Sequence, residues 1–137
     1  MGKRLYRIEK PDHCVRIVFE SGAVISPDEI VAALDHENEL YPIEDRRTLW
    51  DFRGCQVTPD FGFDAMNRFV DRIRSRFGNA TAANRGALLV DGSTIYGLSR
   101  MFQMLMDGFP TQIGIFQDEA AAMEWIGGDV RAEEKGP

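Results

Sequence analysis

The chain has 137 residues, 44% of them hydrophobic and 28% charged, with a net charge of -6. That length suits one hydrophobic core. The acidic balance argues against nucleic acid as a partner, because a phosphate backbone needs a basic footprint. No stretch approaches the roughly 20 apolar residues of a membrane-spanning helix. The basic start, Lys3-Arg4, is followed by no apolar run of signal-peptide type, so a cytoplasmic location is expected.

Two β-rich runs, residues 5–9 and 14–20, are joined by Lys10-Pro11-Asp12-His13 and read as an antiparallel hairpin. Ser21-Gly22 turns the chain, and residues 23–25 either extend the hairpin region or lead into the first helix. Ser26-Pro27-Asp28-Glu29 then sets a capping serine, a proline at the first helical position and a glutamate at the third. Ile30, Leu34, Glu37 and Tyr41 fall on nearly one face, so that helix is buried in part.

Residues 46–53 form the next strand, with Thr48, Trp50 and Phe52 on one face and Leu49 and Asp51 on the other. Thr58-Pro59-Asp60 repeats the cap signal and predicts a helix to about Phe77, apolar at Met66, Phe69, Val70, Ile73 and Phe77. Residues 85–91 hold the continuous run Ala-Leu-Leu-Val of a central parallel strand. A third helix is expected over 94–108, a strand over 112–116, and a short helix over 118–126 capped by Asp118. The expected domain is 1–127, and the small, charged tail 128–137 is expected to be disordered.

The order is therefore ββαβαβαβα: an α/β domain with a mixed, mostly parallel five-stranded sheet and an antiparallel first strand at its edge. Strand faces carrying Arg16, Asp51 and Gly114 predict that one side is covered less than the other, with helices mainly on one face.

Three segments carry a family resemblance: Arg85-Gly-Ala-Leu-Leu-Val-Asp91, Tyr96-Gly-Leu-Ser-Arg-Met101, and Ile115-Phe-Gln-Asp-Glu-Ala-Ala-Ala-Met-Glu-Trp-Ile126. Together with the element order they resemble the STAS-like (SpoIIAA-like) family, small bacterial proteins related in fold to the sporulation anti-sigma-factor antagonist. The resemblance covers roughly residues 4 to 127. It implies a non-enzymatic role, either protein partner switching or the binding of a small or lipid-like ligand. Those antagonists carry a phosphorylatable serine in Asp-Ser-x-Gly after the third strand. Here the corresponding stretch, residues 51–60, lacks the motif, and Thr58 is its one hydroxyl, for which a role as helix cap suffices.

The carboxyl ends of the parallel strands are the expected ligand edge, where helix N-termini offer free N–H groups. Arg53 with the hydroxyls of Ser93 and Thr94 is suited to an anionic group there, unless Arg53 pairs with a carboxylate and Ser93 or Thr94 caps its helix. Asp51 and Asp91 share that edge as the acid/base pair of a small enzyme, the least supported reading. Tyr96 and Arg100, one turn apart, form a second candidate, and Gly97 between them asks for close strand packing or ligand access. Met101, Met104 and Met106 cannot all share the face of Leu98, Phe102 and Leu105, so some apolar surface should face outward or meet a partner, including a second copy.

Arg68, Arg72 and Arg76 recur at four-residue spacing near Asp64 and Asp71, the pattern of a solvated, ion-paired face. His36 with Asp35 and Glu39 reads as a surface run rather than a metal site, and no cofactor motif is present. Cys14 and Cys55 lack ligand spacing and are expected to be reduced.

Overall fold

The computed structural model describes residues 4–10, 14–41, 46–77 and 84–127, with the side chains of Arg76 and Phe77 excepted. In chain order the elements are β1 (Tyr6–Glu9), β2 (Val15–Phe19), β3 (Val24–Ile25), α1 (Pro27–Leu40), β4 (Arg47–Asp51) and β5 (Gln56–Val57). They continue with α2 (Phe63–Phe77), β6 (Arg85–Leu89), α3 (Ser93–Leu105), β7 (Gln112–Phe116) and α4 (Glu119–Gly127). The hairpin turn at 11–13, the end of the Arg stripe and the tail 128–137 lie outside the described residues.

Five strands form one sheet in the order β1-β2-β4-β6-β7. β1 is the antiparallel edge strand, and the other four are mutually parallel, as the alternation of elements predicts. From β2 to β7 the order advances in one direction with no reversal. Right-handed crossovers then place every intervening helix on the same face. Accordingly α1, α2 and α3 pack over the face bearing Ile17, Trp50 and Leu88, here the front. Among the described residues only α4 lies on the back, against Leu49, Ala87 and Leu89.

The helix starts follow their capping signals in two of four cases. The Glu29 carboxylate accepts from both the N–H and the hydroxyl of Ser26, at 3.0 Å each. Asp118 accepts from the N–H of Ala121 at 3.2 Å and so caps α4. The Thr58-Pro59-Asp60 expectation is corrected, since α2 opens five residues later at Phe63. The reason is β5: Gln56 and Val57 pair in parallel with Val24 and Ile25, and the Thr58 N–H still donates to Ile25 at 3.0 Å. The chain is extended there, and the Thr58 hydroxyl bonds Asp60 in the following turn instead of a helix end. α3 is likewise corrected, for its N-cap is Gly92 and neither Ser93 nor Thr94 caps it. It stops at Leu105, ahead of a turn closed by Gly108 at φ 91°.

Candidate functional site

A cavity of about 140 Å³ lies on the front, between the helices and the sheet. Ile30 and Leu34 of α1, Phe69 of α2 and Leu98 and Phe102 of α3 form its roof, while Trp50, Leu88 and Ile113 form its floor. Phe19, Trp50 and Phe52 stack on one another with ring centroids 5.2–6.2 Å apart, which makes that part of the floor stiff. Gly86 sits in the floor, in register with Thr48 and Ile113. A Cβ at Gly86 would come within 3.3 Å of Ile113 Cδ1, so the missing side chain keeps that space open.

One end of the cavity is polar, at the amino-terminal ends of β4, β6 and β7. Glu37 of α1 is 1% exposed and accepts from the Thr48 hydroxyl at 2.5 Å. Arg46 Nε lies 3.3 Å from the same carboxylate. Burial pushes the Glu37 carboxyl above its ordinary range, against the opposing pull of Arg46 and of the Thr48 bond. Asn84, 3% exposed, also lines this end, and its Oδ1 accepts from the Arg46 N–H at 2.7 Å. Among the described residues its Nδ2 has no hydrogen-bond partner, and neither does the buried Oγ1 of Thr111 at the same end.

The residues expected at the carboxyl edge follow the ends of β4 and β6, away from the polar end of the cavity. Arg53 lies on the back and is bound by Asp51 at 2.8 and 3.0 Å and by Glu119 at 2.7 Å. Arg16 joins them, 3.4 Å from Glu119. Burial raises the Asp51 carboxyl, but the Arg53 bonds and the charges of Arg53 and Arg16 outweigh it and hold the group below its ordinary range. Asp91 accepts from the Gly54 N–H at 3.0 Å, where a positive φ of 76° and Ser21 Oγ 2.5 Å from a would-be Cβ require glycine.

Ser93, Thr94 and Tyr96 are exposed at the start of α3, and Arg100, also exposed, donates to Gln103 at 2.7 Å. None of Arg53, Ser93, Thr94, Tyr96 and Arg100 lines the cavity. Gly97 faces open space with nothing within 4 Å of a would-be Cβ, so the close-packing expectation for it is corrected.

The methionines divide as the helical periodicity requires. Met106 is buried on the cavity wall, whereas Met104 is 70% exposed and Tyr96 41%. The arginine stripe of α2 is paired, but across to α1 more than along its own helix: Arg68 binds Asp28 at 2.6 Å, and Arg72 binds Asp35. His36 lies against Tyr6, its Nδ1 3.3 Å from the phenol oxygen. Among the described residues no cluster of three or more His, Cys, Asp or Glu side chains is placed to hold a metal ion. Cys14 and Cys55 are both free thiols. Burial, then Asp51 and Asp91, pushes Cys55 up to about 11, which leaves it a poor nucleophile.

Glu37, Arg46, Thr48, Asn84 and Thr111 were not singled out from the sequence. One signal for Glu37 was present, since it falls on the Ile30–Leu34 face of a helix that is otherwise buried there. Asn84 and Thr111 each precede a strand and carry no local pattern.

No protein-family model matches the chain, and no curated protein matches it. Among solved structures it is similar to an uncharacterised DUF3478-family protein with a SpoIIAA-like fold from Shewanella loihica PV-4, at a TM-score of 0.52 and 16% identity. The match covers 92% of this chain and 98% of that one. The chain thus has a SpoIIAA-like fold, in agreement with the expectation from its sequence.

Proposed function

We propose that this chain is a non-enzymatic regulatory module whose input is a small apolar molecule held between the front helices and the sheet. The cavity carries the reading: it is lined mainly by aliphatic and aromatic side chains with a few convergent polar groups, the usual make-up of a small-molecule site. The resemblance to partner-switching proteins supports the regulatory half. α3 links the two halves, because Leu98 and Phe102 line the cavity while Tyr96 and Met104 on the same helix are exposed. A shift of α3 on filling the cavity re-presents that outer apolar surface to a partner.

Asp51, held ionised among arginines, and Asp91, engaged by the Gly54 N–H, are committed to structure, which supports binding over turnover at that edge.

Toluene tests the reading, followed by ligand-observed NMR and by hydrogen exchange of α3 amides on the full chain. Uptake by the wild type with slowed exchange in α3 is expected. Ser99→Leu, which extends a buried cavity-wall side chain into the space, abolishes uptake and raises the melting temperature. A wild-type chain that takes up no toluene overturns the reading, and uptake with α3 exchange unchanged overturns its regulatory half.

A further inference from the structure

On the reading that the cavity holds an apolar molecule, we infer that its polar end selects an uncharged, ring-sized compound with one hydrogen-bond-accepting oxygen. Asn84 and Thr111 receive that oxygen. The two residues stand side by side: Arg85 and Gln112 are register partners in the parallel pair β6–β7, and Asn84 and Thr111 each lie one residue before them. The Gln112 N–H donates to the Asn84 carbonyl at 2.9 Å, which holds the two strand starts together.

The orientation of the Asn84 amide follows from its partner. Its Oδ1 accepts the Arg46 N–H at 2.7 Å, so the other end is the NH₂ group, a donor without an acceptor among the described residues. Thr111 adds a buried hydroxyl, also without a partner among those residues. Buried polar groups in folded proteins are nearly always satisfied. Two adjacent exceptions lining one cavity mark a place built to receive an acceptor.

Charge and size narrow the class further. Glu37 and Arg46 line the same end and are committed to each other at 3.3 Å, Arg72 on the wall is tied to Asp35, and the guanidinium of Arg85 donates to the Trp125 carbonyl on the back of the sheet. An incoming carboxylate therefore meets Glu37 without an unpaired cation to offset it, and an ammonium meets Arg46. A volume of about 140 Å³ is close to that of an engineered cavity of about 150 Å³ that binds benzene. Trp50 and Phe52 present stacked rings on the floor, which suits a flat ring.

Three probes of nearly equal shape separate the outcomes when titrated into the full chain by calorimetry or NMR: acetophenone, α-methylstyrene, which replaces the carbonyl oxygen by a methylene, and benzoate. Acetophenone is expected to bind at least about tenfold more tightly than α-methylstyrene, because a site built for a polar group is left unpaired by the analogue lacking it. Benzoate is expected not to bind. In Thr111→Val, which keeps the shape and removes the hydroxyl, the preference for acetophenone shrinks, and in Asn84→Ala it disappears. Thr111→Val alone decides the matter if Asn84→Ala does not fold. Equal affinity for acetophenone and α-methylstyrene overturns this inference, the polar pair then serving an ordered water, while leaving the apolar-ligand reading standing. Binding of neither overturns both.

Discussion

Three helices of 14, 15 and 13 residues roof the front of the sheet and leave a cavity, whereas one helix of nine residues seals the back. The difference lies in what the sheet offers to each. On the back, Ala87 presents almost no side chain and packs with Ala122 of α4, while Gly114 beside it leaves room for the rings of Phe116 and Trp125, so the helix approaches closely. α4 is also tied at both ends. Arg85 donates to the Trp125 carbonyl at 2.5 Å and Arg47 to that of Ile126, cations at the negative end of the helix dipole. At the other end Glu119 takes Arg16 and Arg53.

The front has large aromatic residues on the floor and bulky aliphatic ones on the helices, and these prop the layers apart. Tight closure thus came from small residues and arginine ties, not from the length of helix applied.

Leucine truncation separates the two faces most strongly. Leu49→Ala, at a fully buried back position, is expected to cost about 3–5 kcal/mol, and Leu88→Ala on the cavity floor about 2–3, because fewer contacts are lost beside an existing space. Urea unfolding midpoints measure both, and equal costs would mean that the front is packed as densely as the back. Glycine replacement gives a smaller effect of the same kind. A Cβ at Gly114 would lie 2.7 Å from the Phe116 ring and 3.2 Å from Trp125, so Gly114→Ala is expected to cost about 1–3 kcal/mol. Gly86→Ala meets only the flexible tip of Ile113 and is expected to be neutral or to stabilise by about 0.5 kcal/mol through the unfolded chain.

The smallest effect is a difference in pH dependence. Glu37 on the front has a raised pKa, so the folded chain holds its proton where the unfolded chain has lost it. Its contribution is full below the ordinary 4.5 and is lost as pH rises from there through the folded value. Asp51 on the back has a lowered pKa, and its contribution is present above the ordinary 3.8 and lost as pH falls below it. Glu37→Gln should therefore flatten the decline in stability on the alkaline side of 4.5, and Asp51→Asn the decline on the acid side of 3.8. Thermal melts from pH 3 to 8 check both signs, and a Glu37→Gln curve parallel to the wild type would remove Glu37 from the account.

Local patterns made most of the fold legible. The Ser26 and Asp118 caps, the strand at 112–116 and the antiparallel edge are as expected, because each depends on spacing within a few residues. Thr58 misled because its cap signal is local while the β3–β5 pairing that keeps it extended joins residues about thirty positions apart. The candidate site was far less legible. Arg53 carries the chemistry of an anion site, yet a carboxylate two residues away and another on α4 take its guanidinium.

The sequence by itself determined the five strands of the main sheet and the four helices, their order, the parallel sheet with its antiparallel edge, and the uneven covering of its two faces. These follow from periodicities of two and 3.6 residues and from the hand of the crossovers. Tertiary structure decided where the space lies and which polar groups are left over. Glu37, Thr48, Asn84 and Thr111 come from four separate segments, and only the standing-off of the front helices turns them into one end of a cavity. Whether a buried donor has a partner is a property of the assembled neighbourhood, and no spacing in the chain records it.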